Sequence, residues 1–329
     1  MDDGDDTSED FPVMPISARV KSLHPVQLMK HYRMTRRKFL RTTLMATAAT
    51  ASLDFANTRA AEKSKGVHWP IGCMNRPWAK WPHNVGFEGI QAAGYKWIGL
   101  ISHSKDEPLI TAGATPEYLD NLKKKIAALG LTANMGALRT NPNTPLADAI
   151  KDTRKQIDNA RFLSLEFLLT FGVEKPEHYD DYFRLMTDAA AYAQERGLKV
   201  VLKPHGGSSS AAEQIHHCLD KVNHPNFKIW YDAGNIIHYT GKDPVEQLKP
   251  IAKHVTGFCA KDCAGPKGDV MIQFGTGKVD FKAVFSELKS AGFNGPIMVE
   301  CCALSDKPEE VSANARANRE FLEKVLAAS

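Results

Sequence analysis

The stretch GTGKVDFKAVFSELKSAGFNGPIMVE, Gly275–Glu300, reads as a glycine-rich turn, a helix and a short buried strand that ends in a carboxylate. Gly292 follows the last apolar turn of the helical pattern as a C-cap, and IMV before Glu300 has the continuous apolar character of a parallel strand covered on both faces. Three more runs end in the same abrupt way: VVL before Lys203-Pro204-His205, IWY before Asp232, and VTGFCA before Lys261-Asp262. Ionisable groups gathered at the same end of successive strands make a site.

Working outward, strand-like runs occur at 70–74, 97–101, 131–135, 163–169, 199–202, 228–231, 255–260 and 297–300. Helical patterns lie between them, among them PEYLDNLKKKIAALG, LADAIKDTRKQIDNARF and YDDYFRLMTDAAAYAQERG, with EEVSANARANREFLEKVLAA at the end. Thr115-Pro116-Glu117 reads as an N-cap with proline at the first helical position, and Gly130 and Gly197 read as C-caps. Eight strands, each followed by a helix, predict an α/β fold: one closed (β/α)8 TIM barrel over residues 61–329, with no linker or repeat to divide it. The active site of such a barrel lies at the C-terminal strand ends, where the charged clusters fall. Polar strand ends can also cap the next helix, as Asp232 can before Ala233-Gly234-Asn235. Capping has no use for Lys203 and little for Glu300.

The first 60 residues differ in composition from the rest. Residues 1–10 (MDDGDDTSED) are acidic, and Thr35-Arg36-Arg37-Lys38-Phe39-Leu40-Arg41 precedes an apolar Ala/Thr-rich stretch to Ala56. Twin arginines before a short apolar segment, with Thr58-Arg59-Ala60 as a cleavage region, resemble a Tat export signal spanning Thr35–Ala60. Such a leader implies the Tat machinery as a partner and a periplasmic or exported location. The segment is too short to span a bilayer comfortably, so no stable membrane insertion is expected. Met34 is an alternative start to Met1.

Taking the nine basic and seven acidic residues of 1–60 from the totals of 42 and 38 leaves 33 and 31. A nearly neutral body lacks the electrostatic footprint of a nucleic-acid binder. The six cysteines (Cys73, Cys218, Cys259, Cys263, Cys301 and Cys302) show no zinc-finger spacing and are compatible with disulfides in an oxidising compartment. Cys259 and Cys301 lie in apolar runs and read as buried small hydrophobes.

Two carboxylates and an imidazole converging on one mouth suit a divalent ion such as Mn²⁺, Mg²⁺ or Zn²⁺. A metal so held polarises a sugar carbonyl while a nearby base removes the adjacent proton. GTGKVDFKAVFSELKSAGFNGPIMVE resembles the closing segment of the xylose isomerase-like barrels, the sugar phosphate isomerase/epimerase superfamily. FKIWYDAGN is similar to that family's sixth strand and GFCAKD to its seventh, and the resemblance covers residues 69–326. It implies metal roles for Asp232 and Glu300. It also marks two departures: Lys203 stands where the fifth strand usually carries Glu, and Cys259 where the seventh usually carries His.

Two options follow. Either the metal sphere is rebuilt from His205, Asp232 and Glu300, or the metal is absent and Lys203 or Lys261 supplies the positive charge for a developing enolate. The first is preferred, since His205 lies two residues past the lost Glu and imidazole is a common ligand. Lys203, Lys261 and Glu300 are the candidate catalytic residues, with structural ion pairing as the alternative for the lysines. Trp78, His103, Asn235 and Asp262 are the candidate substrate contacts. Trp78 and Trp81 can stack on a sugar or pack under a loop, and His238 reads as structural. Glu166 lies too deep to reach the mouth.

The expectation is an exported, divalent-metal-dependent isomerase or epimerase of a non-phosphorylated sugar or keto-sugar, with oligomeric state left open. A keto-glycoside lyase or hydratase would use the same groups, and a sugar-binding protein with a decayed metal site is a rival from another class. An endonuclease IV-like activity is opposed by the missing zinc-ligand cluster and by the neutral charge.

Overall fold

A parallel strand covered on both faces is apolar at every position, and the runs of that kind in this chain pair with one another. The computed structural model describes residues 69–103 and 106–328. Its strands are Ile71–Met74 (β1), Trp97–Leu100 (β2), Thr132–Ala137 (β3), Phe167–Thr170 (β4), Lys199–Leu202 (β5), Phe227–Tyr231 (β6), Val255–Ala260 (β7) and Ile297–Val299 (β8). Each pairs in parallel with the next. β8 returns to β1 through Ile71–Ile297, Gly72–Met298 and Cys73–Val299, which closes the barrel.

The helices are His83–Ala92 (α1), Pro116–Ala128 (α2), Leu146–Phe162 (α3), Tyr179–Gln194 (α4), Ala212–Val222 (α5), Ala233–Thr240 (α6), Pro244–Leu248 (α7), Phe281–Ser290 (α8) and Pro308–Ala327 (α9). Thr115 caps α2 by accepting from the Tyr118 amide, and Gly130, Gly197 and Gly292 all take positive φ after their helices. Most strand ends fall within two residues of the sequence reading, and one differs by more. β4 begins at Phe167 rather than residue 163, because Leu163 caps α3 and Ser164 turns the chain in a left-handed conformation. The leader read at residues 1–60 lies outside the described residues. Among the described residues, no helix is long and apolar enough to cross a membrane.

Alternation of side chains divides each strand between two cores. Met74, Met135, Leu169, Val201, Trp230, Cys259 and Met298 pack inside the barrel. Leu168, Val200, Leu202, Ile229, Phe258 and Val299 belong to the larger core shared with the helices. Trp230 fits inside because the next strand offers Gly257, where a Cβ would stand 2.0 Å from the indole Nε1. Two residues beyond an inward position, the chain again faces the axis, now at the mouth. By that count Met74 leads to Arg76, Ala137 to Arg139, Val201 to Lys203, Trp230 to Asp232, Cys259 to Lys261 and Met298 to Glu300.

Candidate active site

Those inward positions meet as a buried ionic cluster. Lys203 Nζ contacts Glu300 Oε2 and lies 3.1 Å from Asp232 Oδ2. Lys261 Nζ lies 3.1 Å from Glu300 Oε1 and 3.4 Å from Asp232 Oδ2. Arg76, directly after β1, donates to Glu300 Oε1 at 2.5 Å. Both lysines and both carboxylates are almost fully buried, whereas the Arg76 side chain keeps 35% exposure. Three cations face two carboxylates, so the cluster carries one surplus positive charge.

Local structure fixes each member. Asp232 Oδ1 caps α6 by accepting from the Asn235 amide at 2.9 Å, leaving Oδ2 to the lysines. Asn235 donates from Nδ2 to the Pro204 carbonyl at 2.6 Å and accepts from Lys261 Nζ at 3.1 Å, so one side chain ties β5, α6 and β7 together. Burial alone would raise the Glu300 carboxyl, but the charges of Lys203, Lys261 and Arg76 outweigh it and hold it well below the usual carboxylate range. Burial opposes the Lys261 charge, and Asp232 and Glu300 more than restore it, so its ammonium is held more firmly than usual.

Above the cluster opens a cavity of about 560 Å³, lined by Arg76, Lys203, Lys261, Asn235 and Glu300 at its floor and by Arg139, Phe171, His205 and Tyr239 toward its rim. His205 Nε2 lies 2.9 Å from the Tyr239 hydroxyl, and its ring packs 4.7 Å from that of Tyr239 and 5.6 Å from Phe171. Burial, then the charges of Lys203 and Lys261, push its pKa down to about 4, so the imidazole is neutral at physiological pH. Arg139 donates to the Ile101 carbonyl, and among the described residues no carboxylate pairs with it. Burial lowers its pKa with nothing to restore it.

The structure separates several residues that the sequence reading placed together. His205 is not grouped with the carboxylates as a donor; its place in the triad is taken by Cys259, which with Asp232 and Glu300 brings ligand atoms within 4.8 Å of one another. Trp78 does not reach the rim, being buried against Gly86 and Gly89 of α1, where a Cβ on Gly89 would stand 2.5 Å from its Nε1. Asp262 faces away from the cavity. Its oxygens accept the amides of Cys263, Gly275, Gly277 and Val279 at 2.8 to 3.1 Å, stapling the loop before α8 to the end of β7. His103 is exposed, and β2 contributes Ile101 and Ser102 to the cavity instead. No disulfide forms: all six cysteines are free and buried. Trp81 is partly buried against the main core. His238 lies with Nδ1 2.9 Å from the Gly268 carbonyl and also lines the cavity. Arg76, Arg139 and Tyr239 escaped the sequence reading, although counting two residues from each inward strand position finds both arginines.

The Asp232/Cys259/Glu300 triad is a candidate site for a divalent ion, and by spacing the donors fit. By charge they do not. An ion between the two carboxylates would need to come within about 2.2 Å of their oxygens, where the Lys203 ammonium already lies. Both carboxylates are neutralised by their own chain, so a dication would meet a cluster that is already positive.

Comparisons with known proteins agree with the architecture. Residues 87–325 match the family described as xylose isomerase-like TIM barrel. L-ribulose-5-phosphate 3-epimerase UlaE of Shigella boydii serotype 18 (strain CDC 3083-94 / BS512) is 27% identical over 252 residues, covering 71% of this chain and 86% of that protein. D-allulose 3-epimerase from Methylomonas sp. superposes with a TM-score of 0.64 at 18% identity, covering 78% of this chain and 98% of that one. A xylose isomerase-like TIM barrel protein from Mycobacterium smegmatis, in complex with magnesium, gives 0.64 at 15% identity, covering 79% and 97%. A TIM barrel with a candidate metal-binding triad at its mouth is consistent with an isomerase-, epimerase- or lyase-type enzyme.

Proposed function

Because the chain belongs to the xylose isomerase-like TIM barrel family, we propose that it is a sugar isomerase or epimerase, moving a proton at the carbon next to the carbonyl of a keto-sugar. The observation that carries this reading is the pairing, in one cavity, of fixed cations with a neutral imidazole. Removing such a proton puts negative charge on the carbonyl oxygen, and preorganised cations aimed at that oxygen lower the barrier because they need not reorganise during the reaction.

In this assignment Lys203 and Lys261 hold the oxyanion, with Arg76 at the cavity wall. Glu300 is a positioning residue: ion pairs occupy its oxygens and weaken it as a base. In an isomerisation His205 takes the proton and returns it to the neighbouring carbon, in an epimerisation a second donor on the opposite face returns it, and the Tyr239 hydroxyl orients the His205 ring. An imidazole depressed to about 4 is a weak base in the empty cavity. Burial depresses it most and the lysine charges add to that; its basicity rises as the forming oxyanion cancels those charges. Arg139 offers guanidinium donors to the sugar's oxygens at the rim.

The substrate in this reading is a non-phosphorylated keto-sugar. In the serine-rich loop after β5, the amides of Ser208, Ser209 and Ser210 are already bonded to the carbonyls of Val173, Gly206 and Gly207, so these three are not free to cradle a phosphate. The reading extends to an exported protein, supported by Arg36-Arg37 and the apolar stretch after them. Incubation of keto-sugars with the protein in D₂O, followed by NMR, tests the chemistry. Solvent deuterium should appear at the carbon beside the carbonyl and should vanish with His205→Gln. Release of a substituent without exchange into recovered substrate would point to a lyase, and silence across neutral and phosphorylated keto-sugars would remove the proposal.

A further inference from the structure

We infer that the ammonium groups of Lys203 and Lys261 stand in the place of the divalent ion at this barrel mouth, so that the protein works there with fixed protein charge and holds no metal. Lys203 and Lys261 each lie two residues past a side chain that packs inside the barrel, Val201 and Cys259, so both enter on the axis at the level of Asp232 and Glu300.

Each ammonium touches both carboxylates, as a bridging ion would: Lys203 through Asp232 Oδ2 and Glu300 Oε2, Lys261 through Asp232 Oδ2 and Glu300 Oε1. Lys261 is held by Asn235 Oδ1 at 3.1 Å, and Asn235 in turn by the Pro204 carbonyl, so this charge is set by the fold. With Arg76 on Glu300, the cluster is already positive before any ion arrives. Opening the site to a dication would require breaking buried ion pairs and leaving ammonium groups beside it, and uncompensated buried charge is costly.

The inference concerns ion content, so it stands apart from any choice of substrate. Protein purified without chelator should contain far less than one equivalent of any divalent metal. Its melting temperature should be unmoved by EDTA or by added Mn²⁺, Mg²⁺ or Zn²⁺, whereas an ion bound only to the native state would raise it. Lys203→Glu replaces the bridging cation by a third carboxylate beside Asp232, Glu300 and Cys259. That variant should take up about one ion per chain and melt higher when Mn²⁺ or Zn²⁺ is added.

One equivalent of tightly held metal in the wild-type protein, with a melting temperature that falls in EDTA, would overturn the inference. So would a folded double variant, Lys203→Glu with Lys261→Met, that takes up no ion, since the lysines would then not be what excludes it. If that variant fails to fold, the wild-type metal content and melting decide alone. Neither readout involves a sugar, so failure here is separable from failure of the proposed reaction.

Discussion

At the scale of single residues, charge count orders the effects of substitution. Removing one cation from three on two carboxylates leaves a balanced set, whereas removing a carboxylate leaves three cations on one. Glu300→Gln should therefore cost about 3–5 kcal/mol of stability, the range for stranding buried charge. Lys203→Met should cost about 1–3 kcal/mol, the loss of a buried hydrogen-bonding partner. Urea denaturation of the two variants checks the order, and a Lys203→Met penalty exceeding that of Glu300→Gln would contradict the charge balance. His205 gives a pH signature. Its folded pKa of about 4 lies below the ordinary value near 6.5, so the unfolded chain binds the proton more readily. The stability contributed by the neutral ring is complete above about 6.5 and is lost as pH falls toward 4. NMR titration of the ring should show no midpoint above pH 5, and Lys261→Met should move the midpoint upward.

At the scale of elements, the strands and most helix ends were legible because covered parallel strands are continuously apolar and glycine marks helix ends. Side-chain direction was not legible from position alone. Trp78 and Asp262 both follow a strand, yet one turns under α1 and the other turns back to gather the Gly275–Val279 loop. At the end of β7, period-two counting resolves the direction, since Lys261 shares the parity of Cys259 and Asp262 does not; past β1 the chain turns in a 3-10 helix at Arg76–Trp78, and the count fails for Trp78. The Gly-x-Gly of the opening stretch then has a physical reason. A Cβ at Gly277 would stand 2.2 Å from Asp262 Oδ1, so the loop closes on the carboxylate only with glycine there. Gly277→Ala should destabilise by about 1–3 kcal/mol through overpacking. Asp262→Ala, which leaves four amides without their acceptor, should cost about 3 kcal/mol or more. Hydrogen exchange should show the amides of Gly275, Gly277 and Val279 losing protection in Asp262→Ala while those of β2 and β3 keep theirs. Protection lost evenly across the barrel would mean the staple is not local.

At the scale of the molecule, closure joins the two ends of the described chain. β1 pairs with β8, and Trp69 donates to the Phe293 carbonyl across 224 positions of sequence. The ionic cluster spans the same seam, with Arg76 from the first strand end on Glu300 from the last. Neither the barrel nor its site can be complete until the last strand is made, and contacts of such long separation form slowly. The thiols point the same way, because six unpaired, buried cysteines are best enclosed before the chain meets an oxidising compartment. A chain with these two properties suits an export route that carries folded proteins, the route proposed above from Arg36-Arg37. Replacing both arginines, Arg36→Lys with Arg37→Lys, should leave the barrel folded, with unchanged melting, but retained with its leader in the cytoplasm. Cell fractionation with mass determination of the N-terminus reads the result. Secretion of the double variant at the wild-type level, or a wild-type protein found only in the cytoplasm with its leader attached, would show that the twin arginines do not direct this protein out of the cell.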